Sequence, residues 1–101
     1  MNGGGYLGTK YVLRSHLKEV MEKDFRGISA NKLAATIGER RSTLNDLINN
    51  KDMETRHIPA RLIAKLCVWF KITPSDLFSV IVINEDEEGE GKVVERLSNK
   101  Y

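Results

Sequence analysis

Cysteine is almost missing from these 101 residues: Cys67 stands alone, so no disulfide can close within the chain. Its apolar helical surroundings predict a buried, unreactive thiol in a reducing compartment. Histidine is nearly as scarce. One Cys and two His, His16 and His57, without paired spacing exclude a zinc site, and no metal or cofactor is expected. Neither His falls in a nucleophile or general-base motif, which makes each a surface or capping residue and argues against an enzyme. Long apolar runs are lacking too. The N-terminus has none, so nothing resembles a signal peptide, and Val80 to Ile83 is far too short to cross a bilayer. No membrane partner is expected, and the location implied is cytoplasmic. Gly3, Gly4 and Gly5 form no phosphate loop, because the preceding apolar strand and the following Lys-Ser or Lys-Thr are absent.

What the chain does hold is charge, unevenly distributed. Residues 1–83 carry 13 Lys and Arg against 8 Asp and Glu, whereas residues 84–101 carry 3 against 6. A modestly basic domain with an acidic tail is compatible with a nucleic-acid partner. The organisation predicted is a flexible glycine-rich leader over 1–10, one domain over 11–83, and an acidic linker with a short tail over 84–101. In that tail Val93, Val94, Leu97 and Tyr101 recur at helical spacing, and a helix there would order against a partner.

Within the domain the apolar spacing predicts five helices. Leu13, Leu17, Val20 and Met21 place a first helix over about Leu13 to Asp24. Pro59 suits the start of a fourth helix ending near Phe70, and Thr73, Pro74 and Asp76 start a short fifth one. The fold class expected is therefore all-α. A short β-pairing of Tyr11-Val12-Leu13 with Val80-Ile81-Val82-Ile83, or of the latter with a second subunit, is the addition that β-branched residues allow.

The densest signal lies between Ser29 and Lys51. Leu33, Ala34 and Ile37 share one helical face, Ser29 is placed to cap it, and Gly38 can take the left-handed conformation of a tight turn. In the next segment, at about 100° per residue, Leu44, Leu47 and Ile48 form an apolar stripe opposite Arg41, Ser42, Asn45, Asp46 and Asn49. Two short helices joined this way present one polar helix outward.

The stretch Ile28 to Lys51 resembles the Cro and phage-repressor (lambda repressor-like, Xre-type) helix-turn-helix family. Leu13 to Asp24 looks like that domain's first helix, and Ile63 to Leu77 like its last two, so the likeness covers roughly residues 12–79. The resemblance implies a five-helix domain, sequence-specific binding of double-stranded DNA, transcriptional regulation, most simply repression, and a cytoplasmic, nucleoid-associated protein of bacterial, phage or plasmid origin. The chain departs from the family pattern at Ala30, where a Gln is common, at Glu39, where the turn is usually apolar, at Arg40, where Ser or Thr caps the second helix, and at Asn50, where Gly is common. With Glu39 and Arg40 in it, a looser turn is expected.

By the same resemblance, Arg40, Arg41, Ser42, Asn45 and Asp46 occupy base-reading positions. Arg41 has the chemistry to give guanine two hydrogen bonds, a pairing worth about 1–3 kcal/mol of discrimination. Asp46 would accept from a cytosine amino group or hold Arg41 or Asn49. Asn31 and Lys32 at a helix N-terminus, with Asn49, Lys51 and Arg56 beyond the recognition helix, are the phosphate candidates. Four such contacts would give a slope of log affinity against log salt of about −3.6.

One recognition helix reaches few base pairs, so a homodimer on a palindromic operator is expected. The fourth helix has apolar residues beyond its inward stripe of Ile63, Leu66, Cys67 and Phe70. Leu62, Val68 and Trp69, with Val80 and Val82, are the candidate dimer contacts. The alternative is an antitoxin-like or accessory module that binds another protein through the fourth helix and the C-terminal tail.

Overall fold

Strand-forming residues at both ends of the chain meet in space. The computed structural model describes residues 8–85 and 91–98, and among these the order is β1 (Gly8–Ser15), α1 (Leu17–Lys23), α2 (Ala30–Ile37), α3 (Arg41–Ile48), α4 (Ala60–Phe70), α5 (Pro74–Leu77), β2 (Phe78–Glu85) and β3 (Gly91–Leu97). The three strands make one antiparallel sheet in the order β1-β2-β3. This overturns the all-α expectation: five helices are present, but the fold is mixed α and β.

The register explains the sheet. Tyr11, Val12 and Leu13 lie opposite Val82, Ile81 and Val80, inside a ladder that runs from Gly8 opposite Glu85 to Ser15 opposite Phe78. Leu13 therefore belongs to β1, and the first helix starts four residues later than its apolar spacing predicts. The alternation of two decides here: Val12 and Ile81 turn toward the helices, while Leu13 and Val80 occupy the opposite face.

Residues 91–97, where a tail helix was expected, are β3. An isolated helix of this length cannot offset its nucleation cost, whereas the free edge of β2 pairs directly with Gly91 to Val93 and Glu95 to Leu97. Val94 is an extra residue between the pairs Val82–Glu95 and Ile83–Val93, a β-bulge. Strands β1 and β2 run across positions 10/11 and 83/84, where domain limits were drawn. Most of the leader, the centre of the acidic linker and Tyr101 lie outside the described residues.

The core is a leucine cluster. Leu17, Leu33, Leu44, Leu47, Leu62, Leu66 and Leu77 are all but inaccessible to solvent, joined by Val20, Ala34 and Met53. Each such leucine contributes about 1.5–3 kcal/mol through burial. Leu62 is thus a core residue and no dimer contact. On α4, Leu62 and Leu66 are fully buried, and Ile63, Cys67 and Phe70 of the predicted stripe pack against the core partly buried, as does Trp69, so the inward face is wider than predicted.

His16, expected as a surface or capping residue, takes the N-cap position of α1 but is buried rather than on the surface. It precedes α1, is 3% exposed, and connects three elements. Its backbone N–H donates to the Leu77 carbonyl at 2.8 Å, Nε2 lies 2.8 Å from Ser79 Oγ on β2, and Nδ1 lies 3.1 Å from the Glu19 carboxylate. Burial pushes the Glu19 carboxyl up, but the hydrogen bond from His16 and the nearby charges of His16 and Arg14 outweigh it and leave it below the usual range. Cys67 is half-buried, and burial raises its thiol above the ordinary value, as an unreactive thiol requires.

Candidate nucleic-acid interface

The site is built from α2, a turn, and α3. Ser29 Oγ accepts from the Lys32 N–H at 3.2 Å and so caps α2. Gly38 ends it in the left-handed region at φ 70°. The next N–H, of Glu39, returns to the Ala34 carbonyl at 2.9 Å, and the chain enters α3 within two residues. Arg40 takes the N-cap position without a side-chain cap bond, which leaves its guanidinium uncommitted to α3.

Glu39 is the polar residue that the family pattern does not lead one to expect, and its surroundings supply the reason. Its side chain is only 7% exposed. Lys65 Nζ reaches the carboxylate at 2.8 Å and Arg61 Nε at 3.2 Å, both from α4. The Lys65 hydrogen bond, against the opposing cost of burial and with help from Arg61, holds this carboxyl below its ordinary value. The expected looser turn is not what results: two cations fasten it to α4.

On α3, Leu44 and Leu47 enter the core while Arg41 and Ser42 stay exposed, with Asn45 and Asp46 half-buried at the rim. Arg41, Ser42 and Asn45 are thereby brought together on α3, with Arg40 beside them at its N-cap. Asp46 has a different partner from those anticipated. Its carboxylate accepts from Arg56 Nη2 at 2.8 Å, and Arg56 Nε donates to the Lys51 carbonyl at 3.0 Å. Arg56 therefore ties α3 to the loop behind it.

Asn31 and Lys32 are exposed on the first turn of α2, and Asn49 and Lys51 are exposed where α3 ends. Between the latter two, Asn50 adopts φ 54°, and its amide grips Ser15 on both sides: Oδ1 accepts from the Ser15 N–H at 2.7 Å and Nδ2 donates to the Ser15 carbonyl at 3.0 Å. Its tolerance of a left-handed helix terminus was readable from residue type. The grip on β1 was not, because its partner lies 35 positions away.

The remaining dimer candidates divide. Val68 is 67% exposed, and Val80 and Val82 are half-buried on the sheet face that also carries Tyr11. Trp69 is covered by Arg26, whose guanidinium lies 4.4 Å from the ring centroid and donates to the Trp69 carbonyl at 3.0 Å. Among the described residues no group of three or more His, Cys, Asp or Glu could hold a metal, and no helix is long and apolar enough to cross a membrane.

A polar helix fixed outward by a capped partner helix and a three-residue turn defines a helix-turn-helix DNA-binding protein. The family model for the Cro/C1-type HTH DNA-binding domain matches residues 16–82, well over half of the chain. The protein belongs to this family, which makes it a DNA-binding domain of the transcription-regulator type. No curated protein and no solved structure matches the chain. The family match leaves out β1 and β3, the two outer strands of the sheet.

Proposed function

We propose that this protein is a sequence-specific repressor that reads the major groove with α3, as a homodimer on a palindromic operator. One observation carries the reading: Arg41, Ser42 and Asn45 stand together on the outward face of a helix whose other face is locked by Leu44 and Leu47, with exposed Arg40 at its N-cap. Arg41 supplies the two-pronged donor that guanine accepts, and Asn45 one that suits adenine. Asn31, Lys32, Asn49 and Lys51 serve as phosphate contacts at the two flanks. Arg56 contributes mainly by holding Asp46.

The dimer requirement follows from reach: two recognition helices about 34–36 Å apart would read one half-site each. Val80 and Val82, on the same sheet face as Tyr11, support a second copy docking there. Selection of bound duplexes from a random pool at near-physiological salt tests both parts. The parent is expected to enrich a palindrome and Arg40→Ala/Arg41→Ala to lose it. An enrichment unchanged in the variant would remove α3 from the reading.

A second reading, an accessory module that binds another protein through α4, has support of its own. Val68 and Trp69 with Thr36, Ile37, Ala64 and Lys65 line an open, mainly apolar groove of about 410 Å³. Trp69→Ala abolishing function while Arg41→Ala spares it would favour that reading.

A further inference from the structure

The geometry points to β1 as a second DNA-contacting element, with Arg14 as a phosphate-binding residue and Asn50 as the residue that positions it. This rests on the reading of α3 as the DNA-facing helix and extends it to a strand that the family match does not include.

Three observations lead there. The Asn50 amide closes two hydrogen bonds on the backbone of Ser15, so the end of β1 is fixed to the end of α3 with little freedom between them. Ser15 is itself buried, which shields those bonds from exchange with water. Arg14, the next residue, is exposed, and it lines one groove of about 700 Å³ together with Asn49 and Asn50. Asn49 is the exposed residue that ends the recognition helix, so Arg14 continues the surface that α3 presents.

Charge separates Arg14 from its neighbour on the same strand face. Lys10 also lines the groove, but its ammonium is held by Glu85 at 2.7 Å, and Glu54 lies close to it. That end of the groove is neutralised within the protein. Arg14 has no carboxylate at ion-pair distance among the described residues, and Glu19, the acid that feels its charge, is engaged by His16. Asp52 and Glu54 also line the groove, but neither is at ion-pair distance from Arg14, so its guanidinium keeps its donors for a phosphate. Asn50 adds the positioning: a Gly at this left-handed turn would satisfy the backbone equally well but could not hold β1.

Fluorescence anisotropy on a labelled mixed-sequence duplex, titrated between 50 and 200 mM salt, tests this. Arg14→Ala should lower the steepness of log affinity against log salt by about 0.9, equivalent to a salt response about 3.5-fold smaller over that range. Arg14→Lys should keep the parent steepness. Asn50→Gly, verified as folded by circular dichroism, should lose the same increment, and Arg14→Ala/Asn50→Gly should lose nothing more. A parent steepness in Arg14→Ala overturns the assignment, and separate, additive losses in the double variant overturn the role of Asn50. A parent that binds no duplex at 50 mM salt overturns the DNA reading itself, an outcome distinct from both.

Discussion

The two ends of the recognition helix are held by opposite kinds of chemistry. At its N-terminus the turn is fastened by charge: the Glu39 carboxylate sits between Lys65 and Arg61 of α4. At its C-terminus the fastening is mainly neutral, with the Asn50 amide on the buried Ser15 backbone and the Asp46–Arg56 pair beside it. The first end is therefore fastened wholly by groups that answer to pH and salt, whereas at the second only the Asp46–Arg56 pair does so and the Asn50 clamp is governed by geometry. The end that answers most to solution conditions is the one next to Arg40 and Arg41, the residues proposed to read bases.

The comparison breaks most completely if the shared anchor is removed. Leu44, fully buried between the two ends, supports both, and Leu44→Ala should cost about 2–5 kcal/mol in denaturant unfolding. A loss under 1 kcal/mol would mean that the two fastenings hold α3 without its core contact.

Next comes the C-terminal end. Asn50→Ala leaves the Ser15 N–H and carbonyl buried without partners, a loss of about 1–3 kcal/mol, and forces a side chain to keep φ 54°. Asn50→Gly relieves the backbone strain while still lacking the amide, so it should fall between Asn50→Ala and the parent. Equal stability of the three proteins would remove the clamp from the account.

The smallest and most condition-dependent effect belongs to Glu39. Its folded-state carboxyl titrates below the unfolded value, so the stabilisation is present above the ordinary carboxylate range and is lost as pH falls through the lowered folded value. Glu39→Gln should be less stable than the parent at neutral pH, with the gap closing on acidification and on adding salt. Melting temperatures across that pH range in low and high salt would check it. A gap that does not vary with pH would assign the effect to packing.

The helix-turn-helix unit was the legible part of this chain because its determinants are local. Ser29 and Lys32, Ala34 and Glu39, Leu44 and Leu47 are each within five positions of one another, so residue type and spacing describe the bonds they form. The same holds for α5, where the Thr73 N–H donates to the Asp76 carboxylate at 3.3 Å and Pro74 opens the helix. The sheet was less legible. Leu13 satisfies a helical spacing with Leu17 as well as it satisfies a strand, and Val93, Val94 and Leu97 satisfy a helix in isolation. What separates the alternatives is a partner strand far away in the chain, which local spacing does not contain. In the site, the exposed face of α3 was readable, whereas the partners of Asp46, Glu39 and Asn50 were not. A charged or amide side chain advertises its bonding capacity but not which distant group the fold brings to it.

By itself the sequence determined the helix-turn-helix, its capped first helix, the glycine turn and the polar face of α3, since these follow from side chains within a turn or two of each other. Only the tertiary structure decided that Tyr11–Leu13 pairs with Val80–Ile83 of the same chain and that β3 joins the sheet, that Leu62 and His16 lie inside, and that β1 is fastened to the end of α3. Those outcomes depend on contacts between residues tens of positions apart, where chain closure and mutual burial select among pairings that local propensity leaves equal.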